Sequence, residues 1–294
     1  MFRSAMSHIS LKAPDPESAA AFYEDFLGMV REAPDTPSTI GAIRLGFGRG
    51  HHVVEIVQGE VGLDHFAFEI GDESEMLALK SRLQANGVDF LPCHAERAAS
   101  DSFAIADPDG NRVEFHGLID RSGEKSDRLC PDRIQHLALA TPDASRLTRF
   151  YTEVLGFRIS DKMGEGAGFW IRSSQEHHSL AIFQREHGKG LDHYSFDIAG
   201  WEDFKVWCDH FSRKGVPVAW GPGRHGIGDN LFIMFHDAVG YLIEFSAEME
   251  LFGDGIAKER ERWDDYGRAA SLWGPVPEFR NRQVEVVGDP LSDG

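Results

Sequence analysis

Apolar and polar residues alternate through "SHISLKA" (7–13), which predicts a strand with one face buried. The period then changes. Asp15 before Pro16 is a helix start with proline in the first turn. Ala19, Phe22, Phe26 and Met29 form one helical stripe, and Gly28 weakens the helix end. "GLDHFAFEI" (62–70) predicts another strand, and "DESEMLALKSRLQANGV" a helix ending near Asn86 and Gly87. Further on, "DHYSFDI" predicts a strand and "WEDFKVWCDHFSRKGV" a helix ending near Gly215. The recurring unit is a strand, a helix and several short strands.

That unit belongs to a longer repeat. Residues 7–29, "SHISLKAPDPESAAAFYEDFLGM", match 135–157, "QHLALATPDASRLTRFYTEVLGF", at an offset of 128. His8 falls on His136, Phe22-Tyr23 on Phe150-Tyr151 and Leu27-Gly28 on Leu155-Gly156. "GLDHFAFEI" matches "GLDHYSFDI" (190–198) at the same offset, and "DPDGNRVEF" (107–115) matches "DAVGYLIEF" (237–245) at 130. The expected fold is α+β, with four βαβββ modules paired into two tandem domains. The expected division is 1–118, a polar linker 119–131, a second domain 132–249, and a charged tail 250–294 outside the repeat.

Composition narrows the function. The chain has 294 residues, 41% hydrophobic and 27% charged, which is globular. A net charge of −18 argues against nucleic acid and anionic membranes as partners. Cys93, Cys130 and Cys208 are odd in number, widely spaced and without a CxxC pair, so neither a disulfide framework nor a thiolate zinc site is expected. The first residues lack a signal-peptide core, and no run of 18 apolar residues occurs. A reducing, cytoplasmic setting is the expectation.

Three residues of the second half stand out. His136 and His193 lie in the first strands of modules three and four, and Glu244 lies between Ile243 and Phe245 in the last strand. An unpaired carboxylate in an apolar strand is costly. Alternation turns each of the three away from its neighbours in sequence. If the modules curl around one cavity, two histidines and a carboxylate meet as the facial triad of non-haem Fe(II) oxygen enzymes. Singly, a strand histidine is more often a satisfied core or surface residue, and a strand glutamate usually faces solvent. Phe169, Trp170 and Trp220 are candidate pocket walls, and plain core packing accounts for them equally well.

The strings "QHLALATPD", "HHSLAIF", "LDHYSFDI", "GPGRHGIGDNLF" and "GYLIEF" make the second half resemble the type I extradiol ring-cleaving dioxygenases of the vicinal oxygen chelate superfamily, closely over 131–246. The first half resembles the same family's N-terminal domain in less detail. The resemblance implies His136, His193 and Glu244 as ligands of Fe(II), with Mn(II) the other metal to consider. It implies His178 as the acid–base histidine and His225 as a second active-site histidine on a loop over the metal, 19 residues before Glu244. The implied reaction opens a catechol-type ring with dioxygen next to its two hydroxyls. A homo-oligomer is expected by the same likeness.

The match has departures. The family's tyrosine nine residues after the loop histidine is Met234 here, and methionine donates no strong hydrogen bond. The turn that follows reads "HDAVGY". Tyr241 is expected on the wrong face to substitute; Tyr266 in the tail is another candidate, but nothing in the sequence shows that it reaches in. The first half keeps His8, His65, Glu114 and the pair His51-His52, although this domain is usually a copy without metal; the "GRHG" loop is missing there. A second metal site is therefore a hypothesis of the sequence. The alternatives are another metal-dependent reaction of the superfamily (hydroquinone-type cleavage, glyoxalase or epimerase chemistry) and a non-catalytic small-molecule binding protein.

Overall fold

Each half of the chain folds around a seam where two modules meet strand to strand. The computed structural model describes residues 4–32, 41–93, 102–119, 121, 123–253 and 261–281, and these divide into two compact units, Met1–Pro131 with Arg149–Gly156 and Asp132–Thr148 with Phe157–Gly294. The first unit carries β1 (Ser4–Ala13), α1 (Pro16–Asp25), β2 (Val30–Arg31), β3 (Ile43–Gly46), β4 (His52–Gln58), β5 (Gly62–Ile70), α2 (Glu73–Ala85), β6 (Phe103–Ala106) and β7 (Arg112–His116). They form one sheet in the order β2-β3-β4-β1-β5-β7-β6. β1 and β5 run antiparallel at the seam, and each has a parallel neighbour from its own module, β4 and β7.

The second unit repeats this plan. It holds β8 (Arg133–Thr141), α3 (Ala144–Arg149), β9 (Arg158–Met163), β10 (Gly168–Arg172), β11 (Leu180–Gln184), β12 (Gly190–Asp197), α4 (Trp201–Lys214), β13 (Val218–Arg224), β14 (Leu231–His236) and β15 (Leu242–Ala247). The tail adds β16 (Glu261–Trp263), α5 (Tyr266–Ala270) and α6 (Glu278–Asn281). The sheet order is β13-β14-β15-β12-β8-β11-β10-β9-β16, with β8 and β12 antiparallel at the seam. The α+β architecture of tandem modules expected from the sequence is therefore present. The second module is the thinnest: before β6 its extra strand is reduced to the isolated bridge Leu91–Ala104 among the described residues.

Local chemistry explains the helices. Asp15 caps α1 by accepting from the Ser18 N–H at 3.1 Å, and Pro16 follows it. The predicted stripe needs one change: Phe22 is half-buried, and Tyr23 carries the fully buried ring beside Ala19, Ala20 and Phe26. Gly28 has φ +64°, and a Cβ there would lie 2.3 Å from the Leu129 carbonyl, so the turn admits only glycine. The predicted linker is thus packed chain, and Ser126 N also donates to the Phe47 carbonyl. α2 ends at Asn86, followed by Gly87 at φ +69°, and α4 ends at Gly215, which is left-handed; both ends lie where expected. Among the described residues no helix is long and apolar enough to cross a membrane.

The seams position the candidate residues. His136, Ser195 and Glu244 occupy one register row across β8, β12 and β15, and His193, two residues before Ser195, shares its face. In the first unit His8, Ala67 and Glu114 occupy the same row of β1, β5 and β7, and His65 is two residues before Ala67. Each of these histidines follows a β-bulge. The pairings skip Ser7 and Asp64 in one seam and Gln135 and Asp192 in the other. A bulge frees a residue from strict alternation and re-aims its side chain. Here the freed residue turns toward the ring of the next residue.

Candidate metal centre

His136, His193 and Glu244 are buried, and one ligand atom from each lies within 4.8 Å of the other two. His193 Nε2 is 3.5 Å and His136 Nε2 3.9 Å from Glu244 Oε2. Two ligands ~2.1 Å from a common ion at angles near 90–110° stand ~3.0–3.4 Å apart, so a contraction of a few tenths of an ångström closes the site.

Hydrogen-bond partners fix which ring nitrogen is bare. Gln135 Oε1 accepts from His136 Nδ1 at 3.1 Å, and Asp192 Oδ1 accepts from His193 Nδ1 at 2.6 Å. Both rings therefore aim an Nε2 lone pair at the carboxylate, the arrangement that outer partners impose on metal-binding histidines. The Asn230 amide donates to Glu244 Oε1 at 3.2 Å, which leaves Oε2 facing the histidines. Burial lowers the His136 pKa to about 3, against the attraction of Glu244. Burial also opposes the Glu244 charge, but His225, His136 and His193 around it hold that carboxyl at about 2. The result is a buried group of two imidazoles and one carboxylate whose ligand atoms converge. That donor set fits a divalent transition metal, which would satisfy them together.

The remaining histidines complete the site. His178 lies with its ring centroid 4.4 Å from that of His136. Asp161 Oδ2 accepts from His177 Nε2 at 3.2 Å, so His177 Nδ1 accepts from His178 Nδ1 at 3.1 Å, and His178 keeps a bare Nε2. Burial, then the neighbouring histidines, push the His178 pKa well below its ordinary value. His225 donates its Nδ1–H to the Ala270 carbonyl at 2.5 Å, stacks on Phe232 at 3.8 Å, and holds Nε2 3.8 Å from Glu244 Oε2. All five predicted site residues, His136, His178, His193, His225 and Glu244, line one cavity of about 310 Å³. Trp170 and Trp220 line it as well, but Phe169, one residue along β10 from Trp170, does not.

The model of the Glyoxalase/Bleomycin resistance protein/Dioxygenase superfamily matches residues 5–115 and 133–245. The chain belongs to that superfamily. Metapyrocatechase 2 of Cupriavidus necator is 26% identical over 96% of this chain and 92% of its own length. The iron-dependent extradiol dioxygenase of Rhodococcus jostii (strain RHA1) is 27% identical over 92% and 96%. In fold, the Mn(II)-bound glyoxalase from Novosphingobium aromaticivorans is similar at a TM-score of 0.82 and 23% identity, covering 99% of this chain and 97% of that one. The resemblance to type I extradiol dioxygenases read from the sequence is borne out by these near full-length relatives.

Within this superfamily fold, sequence reasoning named Tyr266 but missed the rest of the wall supplied by the tail. Tyr266, Ala269, Ala270 and Arg280 line the cavity, and Tyr266 is 42% exposed, with its hydroxyl donating to the Arg280 carbonyl at 3.3 Å. The Arg280 guanidinium donates to Asp192 Oδ1 at 2.8 Å. Trp263 donates to Asp161 Oδ2, the same oxygen that holds His177. Met234 is buried on the cavity wall, paired in register with Glu244 and packed on Trp220, Phe232 and Leu242. Tyr241 is buried away from the cavity lining, as alternation predicts. Asp161, Asn230, Asp192 and Arg280 carry no periodic signal; only the adjacency of Asp192 and His193, repeated as Asp64 and His65, offered a clue.

Proposed function

We propose that the second unit of this extradiol ring-cleaving dioxygenase opens a catechol-type ring with dioxygen, using a divalent metal held by His136, His193 and Glu244. The observation that carries this reading is the convergence of two bare Nε2 atoms and one carboxylate oxygen at the floor of an aromatic-lined cavity. Iron(II) is the reading favoured by the iron-dependent relative, with manganese(II) as the other candidate. Held by these three residues, the metal would supply Lewis acidity toward the oxygens of a bound substrate.

The chain's own residues handle protons and orientation. A catechol has two hydroxyl protons to release as it binds. His178 and His225 each present an imidazole nitrogen without a proton toward the cavity, and each is positioned to accept one. His178, backed by His177 and Asp161, returns its proton as the ring opens. Trp170 and Trp220 line the cavity as surfaces for an aromatic ring, and the tail residues Tyr266, Ala269, Ala270 and Arg280 complete its wall. With Met234 in the tyrosine position, the Tyr266 phenol is one donor that the cavity wall offers in its place, on turning from the Arg280 carbonyl.

The test is oxygen uptake by protein loaded anaerobically with Fe(II) and offered catechol, 3- and 4-substituted catechols, 2,3-dihydroxybiphenyl and hydroquinones. Uptake with a yellow ring-opened product from a catechol, abolished in His193→Ala, is the expected result. Met234 favours one second reading, hydroquinone-type cleavage, and uptake confined to hydroquinones would select it.

A further inference from the structure

We propose that the first unit binds its own divalent transition-metal ion on His8, His65 and Glu114. These side chains are buried, and one ligand atom of each lies within 4.8 Å of the other two, the same criterion the second unit's triad meets. His8 and His65 ring centroids are 5.3 Å apart at 90°, and those of His136 and His193 are 5.8 Å apart at 87°. His52 sits 4.4 Å from His8, as His178 sits 4.4 Å from His136. Arg112 Nε donates to Glu114 Oε1 at 3.0 Å, which gives it the place Asn230 has on Glu244 and leaves Oε2 toward the histidines.

The spacing of the two rings suits a shared ion. The Gly117 carbonyl accepts from His116 Nδ1 at 2.7 Å, and His116 Nε2 and His51 Nε2 lie 2.8 and 2.9 Å from the Ser7 hydroxyl oxygen. Asp64 Oδ2 accepts from His65 Nδ1 at 2.9 Å, which turns His65 Nε2 toward the triad. That atom stands 3.2 Å from His8 Nε2. Two nitrogens ~2.1 Å from one ion stand ~3.0–3.4 Å apart, so the distance is that of two adjacent ligands. The alternative occupant is a proton, shared between the two nitrogens as a hydrogen bond.

The donor set indicates the class of metal. The Cys93 thiol donates to Glu114 Oε2 at 2.9 Å, next to the triad. Imidazole and a nearby sulfur favour zinc(II) or cobalt(II) over magnesium or calcium.

The experiment reads metal content, not turnover, so it stands apart from the catalytic reading of the second unit. Full-length protein, His193→Ala, Glu114→Gln and the double variant are loaded with Co(II) without oxygen, desalted and assayed for metal. Glu114→Gln preserves shape and the Arg112 contact, and circular dichroism checks its fold. The expected result is two equivalents in the parent, one in each single variant and none in the double variant, with the cobalt visible bands of His193→Ala disappearing when Glu114→Gln is added. One equivalent in the parent and none in His193→Ala would overturn the proposal and assign the shared proton instead. Should Glu114→Gln fail to fold, the parent and His193→Ala counts alone decide.

Discussion

Asp192 is the residue through which the tail, the cavity and the candidate metal ligand are tied, and its charge can be removed without moving its oxygen. Its Oδ1 accepts from His193 Nδ1 at 2.6 Å and from Arg280 at 2.8 Å, while Arg185 stands 3.5 Å from Oδ2. Burial works against this charge, yet Arg280, His193 and Arg185 hold the carboxyl far below the usual range. Asp192→Asn keeps an acceptor for both contacts and strands the Arg280 charge, which is only 7% exposed. At 2.8 Å and an effective dielectric of ~20, the lost attraction is ~6 kcal/mol before desolvation is counted. Breaking one side of a buried pair costs ~3–5 kcal/mol net, and that is the loss expected in urea unfolding of the metal-free chain. Arg280→Met with Asp192→Asn should recover ~2 kcal/mol or more relative to additivity. Metal affinity separates charge from tautomer. Asp192→Ala, which removes the acceptor of His193 Nδ1, should weaken binding ~10–100-fold in a chelator competition, and Asp192→Asn by less. An Asp192→Asn chain within ~1 kcal/mol of the parent would refute the buried-pair reasoning. Equal loss of metal affinity in both variants would refute the tautomer argument.

Tyr266→Phe should lower kcat/KM ~2–10-fold, the worth of one hydrogen bond, with metal content unchanged in elemental analysis; an unchanged rate would remove the phenol from the reaction. Gly226→Ala puts a Cβ 2.4 Å from the Arg268 carbonyl, so thermal melts should show a loss of ~1–3 kcal/mol as α5 is pushed off the loop. Burial lowers the pKa of His136 to about 3 and that of His178 well below its ordinary value. The unfolded chain then takes up protons first as pH falls. Stability is therefore fully present above pH ~6.5 and drops below it, by up to ~1.4 kcal/mol per pH unit for each ring. Urea melts of the chelated protein at three pH values spanning that point check this, and a flat profile would contradict it.

How much of this was legible follows from which signals are periodic. Helix starts such as Asp15-Pro16, and ends such as Gly215, are written in a few adjacent residues and appear where expected. The triad row was legible because alternation assigns faces and the repeat supplies two copies of each assignment, His8 with His136 and Glu114 with Glu244. Phe22 was misassigned because Tyr23, one position along, buries its ring instead. In the tail only Tyr266 was raised as a candidate, and its placement was illegible for a different reason. Tyr266 and Arg280 act through contacts with each other, β12 and the cavity that no local period encodes, and nothing in the repeat has a counterpart for them.

The bulges explain both the success and the limit of the sequence reading. A regular strand would send the residue before each histidine to the opposite face. Ser7, Asp64, Gln135 and Asp192 are the four residues that the seam pairings skip, and each lies against Nδ1 of the histidine that follows it. The bulge thus couples backbone geometry to ring chemistry: the freed residue takes up the Nδ1 side, and Nε2 is turned inward with its lone pair. Alternation predicted where the histidines point, but not which nitrogen they present, because that depends on a break in alternation. The same break is kept at both seams. His8 and His65 therefore hold the same bulged placement in the first unit that His136 and His193 hold in the second, and a metal count of the two units separates a shared use from shared packing.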